Sequence, residues 1–130
     1  MVEGAHLLDP ESGSRSESGS PWRVSIVHCE DWERGPGASL RCGLAALGDE
    51  VTRAVVVLAD GPDLDPRAVE RLLERDEPVV AASYDGERSH PVVLARSAWG
   101  AIPDAGGRAL DAVLVNCSDL FPPGDVDYRR

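Results

Sequence analysis

The stretch that most constrains this chain is AVVVLA, residues 54–59, which runs directly into Asp60-Gly61-Pro62. A strand with one wet face alternates apolar and polar side chains. This one is apolar on both alternating faces, the mark of a strand covered on both sides, as in a parallel sheet under helices. Covering both faces takes helical layers, so the expected class is α/β with a mostly parallel sheet. In open sheets of that kind, ligands bind at the carboxyl ends of the strands. Asp60 stands at the carboxyl end of the strand expected to be the most buried.

The rest of the pattern supports that class. Residues 22–29 (WRVSIVHC) alternate in part, with Val24 and Ile26 opposite Arg23 and Ser25, and read as a half-exposed strand. Gly35-Pro36-Gly37 reads as a tight loop, with Ser39 capping a helix whose stripe is Leu40, Leu44 and Leu47 and whose stop is Gly48. Asp65 followed by Pro66 is a helix start, a capping side chain and then proline at the first helical position. Val69, Leu72 and Leu73 form its expected buried stripe, and Arg67, Glu70, Arg71, Glu74 and Arg75 its wet face. Residues 79–83 and 90–95 read as strands joined through Asp85-Gly86 as a hairpin. Residues 97–102 and 107–111 read as helical fragments, and 112–116 as a final strand. Residues 9–21 (DPESGSRSESGSP) bury too little to offset their ordering entropy. Residues 1–21 are therefore expected to be disordered and 22–130 to form one domain.

Charge narrows the partners. The net charge is −10, and all 13 basic residues are arginine, with no lysine anywhere. Such a chain does not draw a phosphate backbone over long range, so no nucleic-acid partner is expected. The longest apolar run is strand-sized, so no membrane span is expected. The first residues lack the basic and apolar regions of a signal peptide, and the expected location is the cytoplasm. Cys29, Cys42 and Cys117 show no regular spacing and read as reduced, mostly buried thiols. His6, His28 and His90 lie far apart, with no zinc pattern.

Four features can carry chemistry, each with a plainer reading. Asp60 is either a turn-capping carboxylate or a cation ligand. Asp125-Val126-Asp127 is either a solvated acidic end or a second source of hard oxygen ligands, which together with Asp60 could hold Mg²⁺. The stretch from Gly35 to Ser39 is either a structural turn or a set of backbone N–H groups offered to an anion or a base edge. It is no Walker A loop, because no GK(S/T) follows. Ser39, Asp60 and His90 occur in the order of an α/β-hydrolase triad. The nucleophile elbow needs glycine two residues after the serine, and Arg41 stands there.

Taken together, the motifs resemble the MobA-like NTP transferases, in particular the molybdenum-cofactor cytidylyltransferase branch. Trp32-Glu33-Arg34-Gly35-Pro36-Gly37-Ala38-Ser39-Leu40-Arg41-Cys42-Gly43-Leu44 resembles that family's W-x-x-G-x-x-x-S-L-x-x-G-(L/I) segment. Ala59-Asp60-Gly61-Pro62 is similar to its A-D-x-P turn, and Tyr84-Asp85-Gly86 with Ser89-His90-Pro91-Val92 to its Y-x-G and G-H-P-V segments. Gly107-Arg108-Ala109-Leu110 resembles its G-A-R-x-L helix, and Asp125-Val126-Asp127 the start of its D-(I/V)-D-T-P-E-D-L ending.

The resemblance implies a three-layer, Rossmann-like nucleotide-diphospho-sugar transferase fold, incomplete at its N-terminus. It implies transfer of a nucleotidyl group from CTP or GTP to a phosphorylated small-molecule acceptor such as molybdopterin. Asp60 would be the catalytic metal ligand, Asp127 the second ligand of Mg²⁺, Gly35, Gly37 and Ser39 would border the nucleotide, and His90 and Pro91 the acceptor. The family opens with an LxGGxSxRMGxxK segment that this sequence does not contain. The strand at 22–29 is then expected to lack a proper neighbour. A non-catalytic remnant, or a half-domain completed by a partner chain, is the rival expectation.

Overall fold

A computed structural model of the chain describes residues 24–59, 61 and 63–124. The expected disorder of residues 1–21, and the residues Asp60, Asp125 and Asp127, lie outside the described residues.

The described chain begins without a regular strand. Residues 24–29 form no strand beyond an isolated bridge at Val24, against the strand expected over 22–29. Val24 is 69% and Ile26 95% exposed, so among the described residues no sheet covers the alternating apolar side. A short 3-10 turn, Trp32–Arg34, leads into helix α1, Pro36–Ala45. Pro36 opens α1 because its fixed φ suits the first helical position and its missing N–H costs nothing there. Ser39 therefore lies inside the first turn and is buried, rather than capping it as expected. Leu44 is fully buried, with Leu40 and Leu47 packed beside it, as the stripe implied.

Strand β1, Arg53–Val56, is followed by α2, Pro66–Leu73. Asp65 caps α2 as expected, its carboxylate accepting the Arg67 backbone N–H at 2.9 Å. The buried stripe is Ala68 and Leu72, with Val69 half-buried, whereas Leu73 turns outward. Strands β2, Val79–Tyr84, and β3, Glu87–Ala95, form the expected hairpin. Asp85 and Gly86 take φ of 55° and 84°, the paired left-handed conformations of a two-residue hairpin turn. A short helix, α3, Arg96–Trp99, and a 3-10 turn, Gly107–Ala109, precede the last strand, β4, Val113–Asn116.

The sheet order is β1-β3-β2-β4. β3 is antiparallel to both β1 and β2, while β2 and β4 are parallel. β1, β2 and β4 thus share one direction, but the expected mostly parallel ladder is interrupted because β3 slots between β1 and β2. β1 accordingly sits at the edge of the described sheet, and the most buried strand is β2, all six of whose residues are buried. Neighbouring residues point to opposite faces and feed two cores. One joins Leu44, Ala54, Val56, Val79 and Leu94 to Trp99 and Ile102; the other joins Ala68 and Leu72 to Val80, Val93, Cys117 and Leu120. The result is the three-layer α/β arrangement, with α1 and α3 over one face and α2 over the other.

Surface ion pairs tie the layers together. Arg71 of α2 grips Asp119, beyond β4, through both oxygens at 2.6 and 2.7 Å. That hydrogen bonding holds the Asp119 carboxyl down at about 2. Asp65 is likewise held below the usual carboxylate range, first by the Arg67 side chain and then by the Arg67 backbone N–H. A carboxyl lowered on folding contributes stability above its unfolded pKa, and that contribution is lost as pH falls through the folded value. The melting temperature should therefore fall as pH drops from about 4, the unfolded carboxylate value, toward 2. The gap between wild type and Asp119→Asn should be widest at neutral pH and close by about pH 2. Thermal melts across that range check it; a gap independent of pH would show that the pair does not titrate with folding. The effect is modest, because both partners are open to water.

Candidate functional site

The carboxyl ends of β1, β2 and β4 lie along one rim of the sheet, and β3, running the other way, begins there. The register between β2 and β3 shifts between Ala81 and Ser83, leaving Ser89, His90 and Pro91 to bulge from β3. Pro91 has no N–H to give to a ladder, so a break at this point is the one the chain can accommodate. Pro91 is fully buried, and His90 is half-buried on the rim.

Three segments far apart in sequence meet at His90. Gly61, immediately after Asp60, packs so closely that a Cβ added to it would stand 2.4 Å from His90 Nε2 and 3.0 Å from Pro123 Cβ. The Asp63 backbone N–H donates to the Pro123 carbonyl at 2.9 Å. Gly124 has φ of 77°, and a Cβ there would stand 3.2 Å from Asp63 Oδ2. The residue after Asp60, the pair His90 and Pro91, and the residues leading into Asp125-Val126-Asp127 are thus brought together. Pro123 is the member that the sequence did not point to; its only signal was the Pro122-Pro123-Gly124 punctuation before the acidic end.

The Gly35 turn is built differently. The chain at Pro103 and Asp104 crosses directly over it. The Gly37 N–H donates to the Asp104 carbonyl at 2.9 Å, and a Cβ on Gly37 would fall 1.6 Å from the Pro103 carbonyl oxygen. Gly35 has φ of 133°, and a Cβ there would meet the Asp104 carbonyl oxygen at 2.3 Å. The Asp104 carboxylate is gripped by Arg41 and by Arg34, the latter at 3.2 Å, and Arg41 also donates to the Ile102 carbonyl. These arginines, Arg41 foremost, hold the Asp104 carboxyl below its usual range. The next donors of the turn are taken too, Ala38 and Ser39 N–H pointing to the Gly35 carbonyl. What remains is Ser39 Oγ, buried without a hydrogen-bond partner. An orphaned buried hydroxyl is a cost that a bound polar group can relieve. The clamp formed by Arg34, Arg41 and Asp104 was not foreseen, since its partners lie at sequence positions with no local relation.

Among the described residues no cluster of three or more histidine, cysteine or carboxylate side chains forms a metal site, and no helix is long and apolar enough to cross a membrane. Ser39 is buried inside α1, whereas His90 lies on the rim beside Gly61.

A chain whose strand ends gather glycine turns, a histidine and the flanks of two carboxylate segments belongs to the class of three-layer α/β domains, in which the carboxyl ends of the strands are the usual place for a ligand. Its residues 10–119 match the family model of the MobA-like NTP transferase domain, and the chain belongs to that family. The function that goes with the family is of nucleotidyltransferase type. No curated protein matches the chain.

Proposed function

We propose that this domain transfers a nucleotidyl group from CTP or GTP to a phosphorylated small-molecule acceptor such as molybdopterin, releasing pyrophosphate, with Mg²⁺ as cofactor. The observation that carries the reading is the meeting of Gly61, His90 and Pro123, which draws the neighbours of Asp60 and the approach to Asp127 to one rim of the sheet. The donor chemistry fits the ion, because Mg²⁺ takes hard oxygens and is content with one or two carboxylates, waters and phosphate. Asp60 and Asp127 would hold it, and the ion would neutralise charge on the phosphates. His90 and Pro91 would line the acceptor side, His90 held against the flat face of Gly61. Ser39, with its unpaired hydroxyl, is the group through which the Gly35–Gly37 turn would meet the nucleotide. With no lysine in the chain, any permanently charged side-chain cation facing the phosphates would be arginine.

The test is pyrophosphate release from CTP or GTP with molybdopterin, with and without Mg²⁺. Release that depends on Mg²⁺ and stops on chelation is expected. None from a cooperatively folded sample would refute catalysis. A second reading, a non-catalytic half-domain completed by a partner chain, is favoured by the exposure of Val24 and Ile26. Mg²⁺ and nucleotide together should raise the melting temperature under the first reading and leave it unchanged under the second.

A further inference from the structure

Cys29 and Cys42 are thirteen positions apart, yet Cys29 is seated on α1, the helix that carries Cys42. Cys29 is 1% exposed, and its Sγ lies 3.8 Å from the Ala38 carbonyl oxygen. In an α-helix the carbonyl of residue 38 points along the axis toward residue 42, so a sulfur seated on the first lies beside the second. Cys29 is accordingly the foremost influence on the Cys42 thiol and raises its pKa. Cys42 is half-buried and so the more accessible of the two, whereas Cys29 is buried. The remaining thiol, Cys117, is buried in the other core, under α2.

We infer that Cys29 and Cys42 form a thiol pair that a peroxide converts to a disulfide, stapling the segment before the Gly35 turn to α1. This goes beyond the proposed transfer reaction and does not depend on it. The Cys42 thiolate attacks one peroxide oxygen; the O–O bond breaks, and hydroxide leaves and is protonated to water. Cys42 is then a sulfenic acid. The Cys29 sulfur attacks the Cys42 sulfur; the S–S bond forms, the S–O bond breaks, and the departing hydroxide takes the Cys29 proton as water. Two thiols and one peroxide give one disulfide and two waters. The neighbouring Cys29 thiol first, then burial and the charges of Asp31 and Glu30, hold the Cys42 thiol above its ordinary value. Oxidation of Cys42 is therefore the slow step, and the closeness of Cys29 directs the sulfenic acid to the disulfide. The closed loop would contain the whole Gly35–Ser39 turn, so oxidation braces that turn.

The experiment treats the full chain with hydrogen peroxide, alkylates remaining thiols, and digests with trypsin without reduction. With no lysine present, trypsin cuts only at arginine and places the cysteines on peptides 24–34 and 42–53. A species joining those two peptides, separated again by dithiothreitol, is expected. The oxidised chain should melt several degrees above the reduced one. Cys42→Ser should abolish both effects, and Cys117→Ser should leave both in place. Recovery of Cys42 as sulfinic acid with Cys29 still alkylatable, or a joined species containing Cys117, would overturn the pairing. An oxidised sample melting with the reduced one would overturn the staple.

Discussion

Gly37→Ala is expected to lower the stability of this chain by about 3 kcal/mol or more, a large part of what a domain of this size has. The added methyl would fall 1.6 Å from the Pro103 carbonyl oxygen and 2.7 Å from its carbon. Both are backbone atoms, so relief cannot come from a side-chain rotation; the 103–104 crossing must lift. Lifting it breaks the Gly37 N–H bond to the Asp104 carbonyl and loosens the grip of Arg41 and Arg34 on Asp104. An unmade bond to a buried donor adds its own cost of about 1–3 kcal/mol. Gly100 supplies the control. It lies at φ −73° and ψ −13°, with nothing within 4 Å of an added Cβ. Gly100→Ala should therefore be neutral or stabilise by a few tenths of a kcal/mol, roughly the entropy removed from the unfolded chain. Urea denaturation of the two variants beside wild type measures both. Equal midpoints for Gly37→Ala and wild type would show that the crossing is not part of the folded structure in solution.

Where folding is dictated locally, the sequence could be read. Asp65 and Pro66 start α2 because capping and fixed φ act within three residues. Asp85 and Gly86 turn the hairpin because two adjacent residues tolerate positive φ. The residues 79–84 and 113–116 are strands for the same reason of local pattern. Errors came where distant segments decide. The apolar run at 54–59 reads as the most buried strand, but how far β1 is buried depends on which strands flank it, and β3 enters from a hairpin some forty residues on. Ser39 looked like a cap because serine before an apolar stripe usually is one. Pro36 opens the helix earlier, by its fixed φ, and the 103–104 backbone packs on Gly35 and Gly37 at that start. Of the candidate site, the glycines, Ser39, His90 and Pro91 were named from motif resemblance, and their surroundings were not. Pro123 and Asp104 reach their places only through the fold, and nothing adjacent to them in sequence announces it.

Gly61→Ala separates position from chemistry at the rim. Its Cβ would stand 2.4 Å from His90 Nε2, 3.2 Å from His90 Cε1 and 3.0 Å from Pro123 Cβ. The imidazole is the movable partner, so it should swing away at a modest cost to stability, about 1 kcal/mol. Pro123 is ringed and fully buried, and gives little. Under the proposed transfer reaction, a displacement of about 1 Å in a positioning contact costs on the order of 100-fold in rate. Asp60→Asn, which removes a proposed metal ligand directly, should lose at least as much and also abolish the Mg²⁺ dependence of any residual release. Gly61→Ala should keep that dependence while turning over slowly. A double-mutant cycle with His90→Ala distinguishes a clash from a general loosening. If the methyl acts by pushing the imidazole, truncating His90 removes the target, and the two stability losses fall short of additive by more than about 0.5 kcal/mol. Additive losses would mean that Gly61 matters through Pro123 alone, and full-rate release by Gly61→Ala would remove His90 from the acceptor side.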